Sequence, residues 1–360
     1  MGLVTNISII GLGLIGGSIA KGLKRSNEKI KILAYDKPEI IQKALNDRTI
    51  DIGLKTVEES IESDIIFLCL PIEQSLDTFD KIMPMTKENT IVTDVCGVKG
   101  ILEDKRKNIK CKGIYIGGHP MTGKEKGGYE NSDELLFENA VYILSDSQKG
   151  NARTKDLTDI LKLLGARIIF LNPYVHDKVV ANVSHMPQLL AVVLVNSASK
   201  KNDDINNLDF AAGGFRDMTR IASSDFNIWE SVLKLNKKEI LHALSGLQNE
   251  IDDIRRYLIN DSLDKLKEKF ISASVLRDEI PKNTKGFMSR LYDVFVFVSD
   301  QPGMISKIST ALFKAGINIK DIELLKIREG AGGNFRIAFE SESEAQKAKV
   351  ILKEIGFTIN

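Results

Sequence analysis

The sequence is poor in cysteine, with three in 360 residues, Cys69, Cys96 and Cys111. The number is odd and no CxxC pair occurs, which argues against a disulfide framework or a structural zinc site and fits a reducing compartment. An excess of charge of one sign is lacking as well. Fifty basic residues stand against 49 acidic ones, net +1, so neither a nucleic-acid-binding surplus nor a solvating acidic tail is present. The one short basic cluster, Lys105, Arg106, Lys107, Lys110 and Lys112, carries no aromatics and reads as a solvated helix face. Long apolar runs near the motifs are missing too. IIFLCLPI, residues 65–72, falls far short of the roughly 20 residues that span a bilayer. The chain starts almost at once with a strand and shows no basic-then-apolar leader, so no targeting signal is expected. The expectation is a cytoplasmic protein with no membrane and no nucleic-acid partner.

What is present is ordinary for a globular protein: 43% hydrophobic and 28% charged residues. The length fits two or three domains. Over residues 1–172, short Val/Ile-rich runs alternate with helix-length amphipathic stretches. The runs are 7–10, 30–35, 65–70, 90–94, 114–118, 141–144 and 167–171. Continuous apolar strands between helices predict one parallel sheet covered on both faces. Over 173–286 helical spacing takes over. Ile240, Leu244, Leu247, Ile251, Ile254 and Leu258 form an apolar seam, resumed by Leu263, Leu266 and Phe270. Such a seam packs on a helix of the same chain or of a second copy. Residues 281–286 (PKNTKG) read as a linker. Residues 287–360 then give the order βαββαβ, a ferredoxin-like α+β unit.

Gly11, Gly13 and Gly16 follow the strand 7–10 and open a helix, and Asp36 ends the next strand 20 residues after Gly16. This is the context a dinucleotide-binding Rossmann unit requires. Gly11 permits the tight turn, Gly13 lets backbone approach a pyrophosphate, and Gly16 allows close helix–strand packing. The helix N-terminus, at Leu14 and Ile15, offers unpaired N–H groups to phosphate. Asp36 can bind both ribose hydroxyls and would repel a 2′-phosphate, which favours NAD over NADP. A glycine-rich turn with no ligand is the bland alternative.

Of four histidines, His119 lies in Gly117-Gly118-His119-Pro120-Met121, directly after a predicted strand. Strand carboxyl ends are where α/β sheets bind ligands, and a histidine there is a candidate base for a hydroxyl under oxidation. A hydrogen-bonded structural histidine remains the other reading. In the helical region, Arg216, Asp217 and Arg220, with the sole tryptophan Trp229 downstream, suggest an anion site; a helix start with surface arginines is equally compatible with the spacing.

Taken together, GLGLIGGS (11–18), LCLP (68–71), TDVCGVKG (93–100), GGHPMTGKEKGG (117–128), HD (176–177), SHMPQ (184–188) and GGFRDMTRIASSD (213–225) resemble the prephenate dehydrogenases of bacterial tyrosine biosynthesis. The stretches 300–303 (DQPG) and 316–319 (GINI) resemble an ACT domain. The resemblance covers nearly the whole chain. It implies an NAD-binding Rossmann domain over 1–172, an all-α substrate and dimerisation domain over 173–286, and an ACT regulatory domain over 287–360. It implies NAD-dependent oxidative decarboxylation of prephenate to 4-hydroxyphenylpyruvate by a homodimer, with no metal. His119 would take the ring-hydroxyl proton, Arg220 would hold a substrate carboxylate, Asp217 would orient Arg220, and His185 would support catalysis. Leu70 and Pro71 join the cofactor site. Gly97, Lys99, Lys124, Glu125, Gln188 and Trp229 would surround the substrate. Tyrosine is the expected effector, at the loop holding Asp300, Gly303 and Met304.

The chain departs from the family pattern where many members carry serine at Gly97 and a second histidine at Gln188, and where Lys124 replaces a small hydroxyl. These changes leave arogenate open as the substrate. Two further readings compete. A 3-hydroxyacid-type dehydrogenase would need a lysine in the helical domain that 211–220 does not supply. A cofactor-bound amino-acid sensor with a dead site would have lost His119 or Arg220, and both are present.

Overall fold

The β-branched runs of the first 116 residues build a single sheet whose central strands are buried on both faces. In the computed structural model the order is β1 (Asn6–Ile10), α1 (Leu14–Ser26), β2 (Lys31–Tyr35), α2 (Pro38–Asn46), β3 (Ile52–Gly53), β4 (Ile65–Leu68), α3 (Ile72–Ile82), β5 (Ile91–Asp94), α4 (Gly100–Asn108) and β6 (Ile114–Ile116). The strands are parallel in the order β3-β2-β1-β4-β5-β6. Strand order reverses between β1 and β4, the switch point where such sheets open a ligand crevice. β4 and β5 are buried at every position. The structure describes residues 4–26, 29–124, 126–200, 205–279, 291–328 and 332–359, in two compact units, 1–268 and 269–360.

The expectation of one parallel sheet through residue 171 needs correction. β7 (Gly118–Pro120), β8 (Val141–Ser145) and β9 (Arg167–Leu171), with α5 (Thr154–Leu163) between the last two, form a separate sheet. β7 runs antiparallel to β8, and β8 parallel to β9. Two glycines cause the departure. A Cβ on Gly118 would stand 2.5 Å from the Asp94 carbonyl oxygen, and one on Gly117 3.0 Å from the Tyr115 hydroxyl. Only bare backbone passes here, and the chain leaves the first sheet carrying His119 on β7.

The helical region comprises α6 (Pro173–Val180), a π-helical turn (Ala181–His185), α7 (Met186–Ala198), α8 (Gly213–Thr219), a 3₁₀ turn (Arg220–Ser223), α9 (Phe226–Leu235), α10 (Lys237–Ile259) and α11 (Leu263–Glu279). Asn172 caps α6 by accepting from the Tyr174 and Val175 amides, and Pro173 occupies its first turn. No break in packing falls at 172/173. Val232 and Leu235 of α9 pack against the core that holds Phe79, Leu102 and Tyr115, so sheet and helices make one unit. Residues 173–198 form a helical run long and apolar enough to cross a membrane. Its His176, Asp177, His185 and Gln188 are instead buried and hydrogen-bonded to neighbouring segments.

The apolar seam divides. Ile240 and Ala243 are buried beside Ala181. Ile251, Ile254 and Leu258 are 46%, 43% and 58% exposed, and Leu263 of α11 67%, so that stretch stays largely uncovered by the described residues.

In the second unit β10 (Tyr292–Val298), α12 (Met304–Lys314), β11 (Asp321–Arg328), β12 (Gly332–Phe339), α13 (Glu342–Glu354) and β13 (Thr358–Ile359) give the expected βαββαβ order. The antiparallel sheet runs β11-β12-β10-β13. Val294, Val296 and Val298 alternate inward onto Ile308, Leu312, Ala348 and Leu352. The expected linker at 281–286 lies outside the described residues.

At the first turn, Gly11 has φ +96°, and a Cβ on Gly16 would lie 1.9 Å from the Gly11 carbonyl oxygen. Gly16→Ala should therefore destabilise the first unit by about 1–3 kcal/mol, read as a lower urea midpoint. An unchanged midpoint would show that the turn relaxes without cost.

Candidate active site

The β1–α1 turn lies at the switch point. A Cβ on Gly13 would meet nothing within 4 Å, so its backbone faces open space. Asp36, just past β2, accepts the Leu12 amide at 2.5 Å through Oδ2 and its neighbour Lys37's amide at 2.6 Å through Oδ1. Leu14, Ile15 and Gly16 form the first turn of α1. Leu70 and Pro71 follow β4, and Leu70 lines a cavity of ≈ 380 Å³ with Tyr35, Thr56, Gln74 and Thr78. An open glycine backbone, a helix N-terminus and a carboxylate at the end of β2 fit the pyrophosphate and ribose of a dinucleotide.

His119 stands at the end of a hydrogen-bonded chain. Its Nδ1 lies 2.8 Å from His176 Nε2, and His176 Nδ1 lies 2.8 Å from Asp177 Oδ1. Asp177 is held in turn by the first amides of α4. Lys99 N–H donates to Oδ1 at 2.7 Å and Gly100 N–H to Oδ2 at 2.8 Å. A Cβ on Gly100 would sit 2.9 Å from that carboxylate, so glycine makes the approach possible. The carboxylate only accepts, so His176 carries its proton on Nδ1, and His119 must donate from Nδ1 to the remaining His176 nitrogen. That leaves His119 Nε2 as a bare acceptor, pointing toward Gly97, whose Cβ would stand 3.9 Å away. Burial holds the His119 pKa well below 6.5, with His176, Lys99 and His185 acting in the same direction. The imidazole is therefore neutral at physiological pH.

Behind it lies a charged network. Asp94 is fully buried and accepts from the Lys99 ammonium, the Tyr115 hydroxyl at 2.9 Å and the Cys96 and Gly118 amides at 2.9 and 3.2 Å. Lys99, expected beside the substrate, is thus buried with its charge on Asp94. Burial pushes the Cys96 thiol up to about 12. Lys124, also expected at the substrate, is half-exposed and pairs with Asp133 at 2.9 Å. Glu125 lies outside the described residues.

The helical segments close the other side. His185 is buried, meets Trp229 edge-to-face at 5.9 Å and lies 3.1 Å from Asn236 through Nδ1. Gln188 donates to the Ile221 carbonyl at 2.8 Å, which ties α7 to the turn carrying Arg220. Asp217 on α8 and Arg220 on the following turn both have exposed side chains. Hydrogen bonds thus join His119, His176, Asp177, Asn236 and His185, while Trp229 lies against the last. In the second unit, Asp300, Gly303, Met304, Ser306, Leu324 and Phe335 line a cavity of ≈ 400 Å³, and Gly303 has φ +85°.

Sequence reasoning gave no role to His176, Asp177, Asp94 or Asn236. The first two were visible as the HD dipeptide. Asp94 was visible within TDVCGVKG, and nothing local marks Asn236, a polar residue between two helices.

A Rossmann crevice faced by a neutral histidine and a helical layer defines an NAD(P)-dependent dehydrogenase of two-layer design. The nucleotide-binding domain of prephenate dehydrogenase matches residues 19–170, its dimerization domain 172–272, and an ACT domain 292–356. The prephenate dehydrogenase of Bacillus subtilis (strain 168) is 34% identical over 350 residues, covering 95% of this chain and 94% of its own. A solved prephenate dehydrogenase from A. aeolicus, in complex with hydroxyphenyl propionate and NAD+, has 31% identity and a TM-score of 0.72, over 78% of this chain and 99% of that one. The arogenate dehydrogenase of Synechocystis has 28% identity and a TM-score of 0.69, over 76% and 99%. The chain belongs to the prephenate dehydrogenase family.

Burial also lowers the pKa of His176, and that of His185 to about 4. Unfolded imidazoles titrate near 6.5. Below that pH the unfolded chain binds more protons, so stability falls as pH falls, for His185 down to about 4. The unfolding free energy from urea melts should drop between pH 7.5 and 5, by up to about 1.4 kcal/mol per pH unit for each imidazole. His185→Gln should make that decline shallower; an equal slope would mean that His185 is not held neutral.

Proposed function

We propose that the chain catalyses NAD-dependent oxidative decarboxylation of prephenate, with His119 as the base. The observation that carries this reading is the bare Nε2 of a neutral, relay-held imidazole beside a dinucleotide crevice. NAD, when bound, accepts the hydride from the hydroxyl-bearing ring carbon. His119 Nε2 accepts the proton of that hydroxyl. As positive charge grows on its ring, His176 accepts more strongly from Nδ1, and Asp177 at the α4 N-terminus stabilises the charge through His176. The ring carboxylate leaves as carbon dioxide, its bonding electrons complete the aromatic ring, and His119 returns the proton to the phenolic oxygen. The products are 4-hydroxyphenylpyruvate, carbon dioxide and NADH. A positioned base of this kind contributes about 10²–10⁴-fold.

Arg220 is the carboxylate-binding residue in this reading, with Asp217 beside it, and its work is positioning. His185, Gln188 and Trp229 line the substrate side. Asp36 selects NAD by binding ribose hydroxyls. The cavity beside Leu70 takes the adenine end. A homodimer forms through the exposed stretch of the α10 seam, since Ile251, Ile254 and Leu258 otherwise face water. Free thiols at Cys69, Cys96 and Cys111 accord with a cytoplasmic setting.

The test is NADH formation with prephenate and with arogenate, each with NAD and NADP. Prephenate with NAD should be the preferred pair. His119→Asn should lower turnover about 10²-fold or more with NAD affinity kept; unchanged turnover would remove His119 from its role.

Tyrosine is the effector in this reading, bound in the ≈ 400 Å³ cavity of the second unit, where Gly303 lets a ligand approach backbone. Calorimetry on the full chain should show tyrosine binding, weakened at least about tenfold by Met304→Lys, which puts a charge into an apolar wall, with the KM for prephenate unchanged. Absence of any tyrosine binding would contradict it.

A further inference from the structure

Asn236 is the junction residue between α9 and α10, 3% exposed, and nothing in the reaction described so far uses it. Its Nδ2 makes two contacts, 2.9 Å to the Asp177 carbonyl oxygen and 3.1 Å to His185 Nδ1. A backbone carbonyl can only accept a hydrogen bond, so the amide end facing it is the NH₂ group. That nitrogen has two protons and no acceptor capacity. The second proton therefore goes to His185 Nδ1, which must be unprotonated.

A neutral imidazole without a proton on Nδ1 carries it on Nε2. Burial and the neighbouring His176 keep His185 neutral, against an opposing pull from Asp177. His185 Nε2 has no hydrogen-bond partner among the described residues and is not one of the sealed, unpaired polar atoms of the interior, so it keeps an open side. Two neutral imidazoles of opposite polarity thus end two branches of one hydrogen-bond network. One ends the Asp177–His176 chain and presents an acceptor. The other ends the Asp177 carbonyl–Asn236 chain and presents a donor.

We infer that Asn236 is a positioning residue that locks His185 in its Nε2–H form, so that His185 donates a hydrogen bond to an oxygen of the anionic substrate while His119 accepts from the substrate hydroxyl. A neutral donor suits this place, because a second imidazolium would compete with His119 for neutrality. Asparagine is specific here. Aspartate would set a carboxylate against the Asp177 carbonyl and draw the His185 proton to Nδ1, and alanine would leave the tautomer free. The inference rests on the prephenate reading only for the identity of the acceptor.

The four histidines make a direct test practical. In full-length protein labelled with ¹⁵N-histidine, two-bond proton–nitrogen spectra should report His185 as the Nε2–H tautomer and His119 and His176 as Nδ1–H, with assignments from His185→Gln and His176→Gln. A His185 spectrum of the Nδ1–H form overturns the inference, whatever the substrate. The functional arm uses Asn236→Ala. At pH 8 its kcat/KM for prephenate should fall about tenfold, with KM for NAD unchanged. In the same variant the His185 spectrum should change from the pure Nε2–H form to a mixture of the two tautomers. A loss of kcat/KM with His185 still wholly Nε2–H assigns Asn236 a structural role and overturns the proposal. Wild-type turnover of prephenate in the same series establishes the substrate separately, so the two failures are told apart.

Discussion

The site depends on one carboxylate placed at one helix end. Asp177 receives the Lys99 and Gly100 amides at 2.7 and 2.8 Å, where the α4 dipole favours negative charge. From that fixed point the proton positions of two histidines follow. Moving Asp177 by an ångström would cost more than one hydrogen bond, because His176 would lose its orienting acceptor and His119 its defined tautomer. The requirement explains the glycine at 100, whose missing Cβ leaves the space that the carboxylate occupies.

The same contact explains why the sheet and the helices form a single unit. Asp177 and His176 belong to α6, Lys99 and Gly100 to the N-cap and first residue of α4, and His119 to β7. The His119 imidazole is supplied by one layer and oriented by another. Asp94 and Lys99 stiffen the loop from below through a buried pair with Tyr115 and two backbone amides. Removing one member of such a pair costs about 3–5 kcal/mol, so the network also fixes the charge that helps to keep His119 neutral.

Much of this was legible in the sequence because local spacing encodes it. GLGLIG and Asp36 define the turn and the strand end, and the helix and strand periods define both units. The second sheet was not legible. Val141–Ser145 reads as apolar and β-branched whichever sheet holds it, and what diverts the chain is the lack of room at Gly117 and Gly118, a tertiary fact. The relay was half legible: HD at 176–177 could be quoted, but its reach of 57 residues back to His119 exists only in the fold. The pairing of Lys99 was not legible because a basic residue near a glycine-rich motif invites a ligand, whereas its partner Asp94 lies five residues away along the chain. Asn236 gave no signal, since its function lies in two hydrogen bonds to residues more than 50 positions distant.

The most direct measurement is a crystal structure of the chain with NAD and hydroxyphenyl propionate. The account predicts the phenolic oxygen within about 3 Å of His119 Nε2, with His119 Nδ1 still on His176 and the ring carbon bearing that oxygen facing the nicotinamide. A phenolic oxygen bonded to another group, with His119 Nε2 turned away from the ring, would contradict it.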